Sequence, residues 1–182
     1  RELLVHDMRQ AVAEGEAMDL AQGASFYPPA AVRVADIAEM KERCRVIVIA
    51  AGRGAIPGGT DRLAALQHTA VIVHELGEQL RGYQGLVIVV TNPVDVLTAI
   101  FARAAGMSPT RVIGTGTMLD TARLRQVMSM ELGLEAQSIH AYVVGEHGDS
   151  EVVLWSTARV GATSLRTWPG WDGSRERIIA EQ

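Results

Sequence analysis

Runs of aliphatic and β-branched residues with no polar alternation recur along this 182-residue chain. The clearest are Leu3-Leu4-Val5, Val46-Ile47-Val48-Ile49-Ala50 and residues 86–90. A strand with one face in water alternates, so an unbroken apolar run predicts a parallel strand buried on both faces. Between the runs, residues 10–20, 60–80 and 94–105 carry helical periodicity, the second with Leu63, Leu66, Ala70, Val73, Gly77 and Leu80 on one face. A short extended Val112-Ile113, a helix over 117–132, strands over 139–144 and 152–155 and a Trp/Pro/Gly loop over 167–174 complete the reading. Strand–helix–strand repetition with right-handed crossovers gives a doubly wound parallel α/β sheet, which binds ligands at the carboxyl ends of its strands.

Charge and apolar run length exclude other classes. Seventeen basic against twenty-one acidic residues leave no cationic excess for a phosphodiester backbone, which argues against nucleic acid. The apolar runs fall far short of the roughly 18–20 residues that span a bilayer, and residues 1–20 hold no secretory apolar segment. Cys44, the single cysteine, permits neither an intrachain disulfide nor a cysteine-based zinc site and favours the cytosol. Both ends read as interior to a longer fold, since the chain opens on a strand and closes in the first turns of an amphipathic helix.

Two glycine loops invite a dinucleotide reading. Gly52-Arg53-Gly54-Ala55-Ile56-Pro57-Gly58 lies between a strand and a helix, but its spacing is G-x-G-x-x-x-G. About 20 residues on stands His74-Glu75 inside a helix, where the fingerprint wants an acid at a strand end. A glycine-hinged loop over a site is the better reading. Gly114-Thr115-Gly116 fits the fingerprint still less. Asp7 follows an apolar strand directly, where a ribose diol is held and where the carboxylate repels a 2′-phosphate; a helix N-cap suits the same position. On the ribose reading, the phosphate-binding turn belongs upstream of Arg1.

On the helix from Thr117, Asp120 shares a row with Leu124, Met128 and Leu132, and Arg123 is its i+3 neighbour, so an acid and an arginine enter an apolar face together. A structural ion pair is the plain reading. His147, in Gly145-Glu146-His147-Gly148-Asp149, stands between glycines at a strand's carboxyl end, a place suited to an acid/base and equally open to a surface turn.

Residues 86–164 resemble the L-lactate and malate dehydrogenase family through Thr91-Asn92-Pro93-Val94-Asp95, Ile113-Gly114-Thr115-Gly116-Thr117-Met118-Leu119-Asp120-Thr121-Ala122-Arg123 and Gly145-Glu146-His147-Gly148-Asp149-Ser150. The resemblance implies a Rossmann-type NAD-binding domain over 1–114, incomplete at its N-terminus, then the first part of an α+β substrate domain over 115–182. It implies a cytoplasmic, fermentative enzyme, a homodimer or homotetramer, reducing a small 2-oxo acid to the 2-hydroxy acid with NADH. His147 would exchange the proton at the substrate oxygen, Asp120 would hold its imidazole, Arg123 would fork onto the substrate carboxylate, and Arg62 would close over the ketone oxygen. Asn92 would lie near nicotinamide and substrate, with Asp7 and Gly52 also lining the cofactor. The position that reads the substrate side chain falls on Ala55, which offers no cation for oxaloacetate and favours pyruvate or a bulkier apolar 2-oxo acid; Arg53, close enough to take its place after a register shift, would favour malate dehydrogenase. In the bacterial L-lactate dehydrogenases that the chain resembles, an arginine and a histidine at the positions of Arg125 and His140 bind fructose 1,6-bisphosphate between subunits. The family's phosphate-binding glycine turn and the second half of its substrate domain are not in this sequence, so an inactive, truncated Rossmann-type core stands beside the enzymatic reading.

Overall fold

The structure, a computed structural model, describes residues 1–26, 28, 30–52 and 62–180, with 62–65 and 180 described by backbone alone. The chain divides into two compact units, Arg1–Gly114 and Thr115–Gln182.

The first unit carries two parallel sheets. Strand β1 (Glu2–Val5) leads through helix α1 (Gln10–Gln22) to β2 (Ala31–Val34), and the strands pair in parallel from Glu2↔Ala31 to Val5↔Val34. Helix α2 (Ile37–Arg43) begins at Asp36, whose carboxylate accepts the Glu39 amide at 2.7 Å, an N-cap that satisfies an orphan donor. Sequence periodicity misses both β2 and α2, because Arg33 interrupts the apolar run and seven residues are too few to show a helical period. Arg33 is tolerated in the strand because its guanidinium is paired with Glu2 and Glu39.

Strand β3 (Val46–Ile49), helix α3 (Arg62–Gln79), strand β4 (Leu86–Val89), helix α4 (Val94–Ala105) and strand β5 (Val112–Gly114) follow, the strands parallel in the order β3-β4-β5. Ile47, Ile49, Val87, Val89 and Val112 form one core with Val73 and Leu80 of α3 and Leu97 and Phe101 of α4. At Gly77 the two helices approach closely, since a Cβ there would lie 2.7 Å from that of Ala104. Burial on both sheet faces, expected from the unbroken apolar runs, is not what the structure shows. Val46, Val48 and Ile113 are 48%, 58% and 49% exposed, whereas the strand residues that α3 and α4 pack against are buried.

The second unit packs helix α5 (Met118–Leu132) against short strands β6 (Ile139–His140), β7 (Val143–Val144), β8 (Val152–Val153), β9 (Arg159–Val160) and β10 (Thr163–Ser164), closing on helix α6 (Gly173–Ala180). The single strand expected over 139–144 is two: β6 pairs with β9 in the sheet β10-β9-β6, whereas β7 pairs with β8, so the chain changes sheets at Ala141-Tyr142. The expected strand over 152–155 likewise stops at Val153, and Trp155 opens a 3₁₀ turn. Leu124, Met128, Ile139, Ala141, Val143, Ala158, Val160, Leu165 and Ile179 form this unit's core, with Trp155, Trp168 and Trp171 at its margin. Among the described residues no helix is long and apolar enough to cross a membrane.

Candidate active site

In the second unit, α5 and the turn after β7 bring the titratable groups together. Asp120 lies in the first turn of α5, where a carboxylate is favoured by the positive end of the helix dipole, and it is buried in the same row as Leu124 and Met128. His147 sits in the turn that follows β7. Gly145 starts this turn at φ 104°, a conformation that side chains rarely adopt, and a Cβ there would crowd the Ser150 carbonyl at 3.3 Å. The turn closes through the Glu151 amide donating to the Gly148 carbonyl at 3.1 Å and the Ser150 hydroxyl donating to Glu146 at 3.0 Å.

The His147 imidazole donates through Nδ1 to Asp120 Oδ2 at 2.6 Å, since an ionised carboxylate can only accept. The contact therefore fixes the tautomer and turns Nε2 to the opposite edge of the ring. Arg123 Nη1 donates to the other carboxylate oxygen, Oδ1, at 3.1 Å. Arg123 does not enter the apolar face with Asp120, as its position suggested. Its side chain is 64% exposed while that of Asp120 is 10% exposed, because i+3 on this helix turns away from the Leu124–Met128 row. Buried acid, half-buried imidazole and exposed guanidinium thus form a relay from core to surface.

Glu151 adds a donor, and one atom each of Asp120, His147 and Glu151 lies within 4.8 Å of the others. A divalent cation could be held by such a set, but Asp120 already spends both oxygens on His147 and Arg123. Arg125 is no solvated residue. Its Nε donates to the Ala141 carbonyl at 3.0 Å and its guanidinium lies 4.8 Å from the centre of the Tyr142 ring, beside a shallow groove lined by Thr115, Thr117, Met118, Thr121, Ala122 and Val143. His140 is half-buried in β6, opposite Arg159 of β9.

In the first unit the expected cofactor residues follow the carboxyl ends of parallel strands. Asp7 comes after β1; its Oδ1 accepts the Arg9 amide at 2.8 Å, which with the Arg9 guanidinium holds the carboxyl below its usual range. Oδ2 accepts no hydrogen bond among the described residues. Gly52 comes after β3, and a Cβ there would stand 3.0 Å from the Thr91 methyl, so a side chain at this position would press on the end of β4. Thr91 holds that approach by donating to the Ala51 carbonyl at 2.8 Å. Asn92 is exposed after β4. Arg53 and Ala55 lie outside the described residues, and so does the side chain of Arg62.

Models of the lactate/malate dehydrogenase NAD binding domain and of the lactate/malate dehydrogenase alpha/beta C-terminal domain match residues 1–114 and 117–170. The chain belongs to the lactate/malate dehydrogenase family. An L-lactate dehydrogenase of Kosmotoga olearia is 40% identical over 168 residues, which are 91% of this chain and 52% of that relative. Two solved structures are similar. One is a lactate dehydrogenase from a Medee basin deep-sea metagenome library, with a TM-score of 0.86 and 36% identity over 98% of this chain and 59% of that one. The other is the minor L-lactate dehydrogenase of Enterococcus mundtii in its ligands-bound form, with a TM-score of 0.87 and 33% identity over 100% of this chain and 59% of that one. The chain thus spans between half and three fifths of the length of these relatives.

Proposed function

We propose that this chain belongs to an NAD-dependent L-lactate dehydrogenase interconverting (S)-lactate and pyruvate, with His147 as the acid/base. The observation that carries the reading is the 2.6 Å contact between His147 and the buried Asp120, with Arg123 on the same carboxylate. Reduction of a 2-oxo acid places negative charge on the ketone oxygen, which needs a proton donor and a nearby cation. Protonated His147 gives a proton from Nε2 to that oxygen and takes it back in the reverse direction. Asp120 stabilises the imidazolium and holds the ring in one orientation. Arg123, exposed and planar, offers its fork to the substrate carboxylate, a geometry that a lysine ammonium cannot copy.

The first unit fits NAD at the points that it describes. Asp7 presents an ionised carboxylate beyond a strand end, as a ribose diol requires, and Gly52 leaves backbone without a side chain at the next such end. When bound, the nicotinamide supplies the hydride. Asn92 faces solvent at the third strand end, where an amide can orient a ring carboxamide or a substrate oxygen; Arg62 is the candidate to cover the ketone oxygen. Ala55, with no charge to pair with a second carboxylate, favours pyruvate over oxaloacetate.

NADH oxidation with pyruvate, oxaloacetate and 2-oxoisocaproate tests the reading on this polypeptide and on its His147→Ala variant. Pyruvate turnover that is lost in the variant, with NADH binding retained, is the expected result. A dominant kcat/KM for oxaloacetate would make it a malate dehydrogenase, and NADH binding without turnover of any 2-oxo acid would make it a non-catalytic core. The assembled enzyme is a homodimer or homotetramer on this reading, and Arg125 and His140 are its candidate ligands for fructose 1,6-bisphosphate.

A further inference from the structure

Helix α5 and strand β7 are joined by hydroxyl groups that the functional reading leaves unused. Thr117 occupies the N-cap of α5, where a threonine ordinarily accepts an amide of the first turn, yet its side chain makes no capping bond. Its hydroxyl instead donates to the Val143 carbonyl at 2.7 Å. One turn on, the Thr121 hydroxyl accepts the Val143 amide at 3.0 Å and donates to the same Val143 carbonyl at 3.4 Å. Arg125, a further turn along the same row, donates to the Ala141 carbonyl at 3.0 Å. Residues four apart share one helix face, so the three side chains form a polar seam lying along residues 141–143.

Strand pairing explains why the seam is needed. The Leu154 amide donates to the Tyr142 carbonyl at 2.9 Å, and Val143 stands opposite Val153, so in an antiparallel ladder the amide and carbonyl of Val143 point away from β8. Both groups are turned toward α5, where unmet backbone polarity would be costly. Asp120 immediately precedes Thr121, and His147 follows Val143 by four residues.

We propose that Thr121, assisted by Thr117, is a positioning residue that locks the register of α5 against β7 and so sets the separation of the Asp120 carboxylate from the His147 imidazole. The proposal rests on the reading of His147 as acid/base for its consequence in turnover, but not for its structural content. A change in register along the seam shifts the carboxylate relative to the ring, and misplacement of reacting groups by about 1 Å costs on the order of a hundredfold in rate.

The test is the low-field proton resonance of the His147 Nδ1–H in this chain, assigned by its loss in His147→Gln, compared across Thr121→Val, Thr121→Ser and Thr117→Val with circular dichroism and thermal melts alongside. Thr121→Val is expected to abolish or broaden the signal in a chain that still melts cooperatively, and Thr121→Ser, which keeps the hydroxyl, to retain it. Should Thr121→Val fail to fold, Thr117→Val, which removes the shorter of the two bonds to the Val143 carbonyl and leaves the amide bond in place, is read instead and is expected to shift the signal. In turnover, Thr121→Val is expected to lower kcat by about ten- to a hundredfold with KM for pyruvate little changed, and the serine variant to restore it. An unaltered resonance in folded Thr121→Val, or its loss in the serine variant as well, would overturn the proposal. Absence of pyruvate turnover in the parent chain would count against the dehydrogenase reading alone, because the resonance is read without substrate.

Discussion

Replacing Gly77 by alanine adds one methyl group where α3 crosses α4, and two opposing effects decide its sign. Alanine is the better helix former by about 1 kcal/mol. Against that, the new Cβ lies 2.7 Å from the Ala104 Cβ, 3.1 Å from the Phe101 carbonyl oxygen and 3.2 Å from the Ala105 amide nitrogen. The first distance is about 1 Å inside the contact distance of two carbons. The other two neighbours are backbone atoms of α4, so no side-chain rotation relieves them and the helices must part. Separation loosens Val73, Leu80 and Phe101, which are 0%, 2% and 0% exposed. Overpacking of this kind costs about 1–3 kcal/mol, and with no soft neighbour the upper half of that range applies, leaving a net loss of about 1–2 kcal/mol after the propensity gain. Gly15 supplies the control within the same unit. It lies in α1, a Cβ there meets nothing within 4 Å, and Gly15→Ala is expected to stabilise by about 0.5–1 kcal/mol. Urea unfolding measures both: at a slope of about 2 kcal/mol per molar, Gly77→Ala lowers the midpoint by about 0.5–1 M. A midpoint that rises in Gly77→Ala as it does in Gly15→Ala would refute the close approach of α3 and α4. Partial recovery in Gly77→Ala/Ala104→Gly would locate the conflict at the 2.7 Å contact.

Asp7→Ser is expected to raise the affinity for NADPH relative to NADH by removing the charge that repels a 2′-phosphate, measured by fluorescence titration; a parent chain that binds both equally would leave Asp7 as no more than the acceptor of the Arg9 amide. Asp172 is held below the usual carboxylate range by the Ser174 hydroxyl and the amides of Arg175 and Ser174. Its folded value is depressed, so its contribution to the start of α6 is present above the ordinary carboxylate range and lost as pH falls through the lower folded value. The amide shifts of Ser174 and Arg175 should therefore titrate on acidification in the parent chain and not in Asp172→Asn. Fructose 1,6-bisphosphate should lower the apparent KM for pyruvate of the assembled enzyme, and Arg125→Gln should remove that response; no response in the parent would leave Arg125 with its bond to Ala141 and its place over Tyr142 alone.

The parts of this molecule that were legible in its sequence are those whose cause is local. Unbroken apolar runs show β1, β3 and β4 because strand-favouring aliphatic residues stand next to one another, although the burial on both faces that such runs suggest is not found, and the Asp120–Leu124–Met128 row shows the buried face of α5 because helical neighbours recur at a fixed spacing. His147 stands out for a related reason: Gly145 must be glycine at φ 104°, so the turn that presents the imidazole leaves its mark next to it. Strand β2 escapes because Arg33 interrupts its apolar run and is accommodated by Glu2 and Glu39, partners 31 residues before it and 6 residues after it. The break between β6 and β7 escapes because it is made by two different partners, β9 and β8, and nothing in Ala141-Tyr142 itself signals it.

The seam on α5 belongs to this second group, and it shows where the limit falls. Thr117, Thr121 and Arg125 are four apart and could have been recognised as one row, but a row of polar residues on a helix reads equally well as a solvated face. What separates the two is the orientation of the Val143 amide and carbonyl, which depends on which strand pairs with β7 and in what register. His147 is therefore visible in sequence, whereas the hydroxyls that bind the Val143 backbone become visible as a group only when the backbone that they satisfy has been placed. A functional site of this kind has its chemistry in short motifs and its geometry in long-range hydrogen bonds, and the hydroxyl of Thr121 is the point in this chain where the two meet.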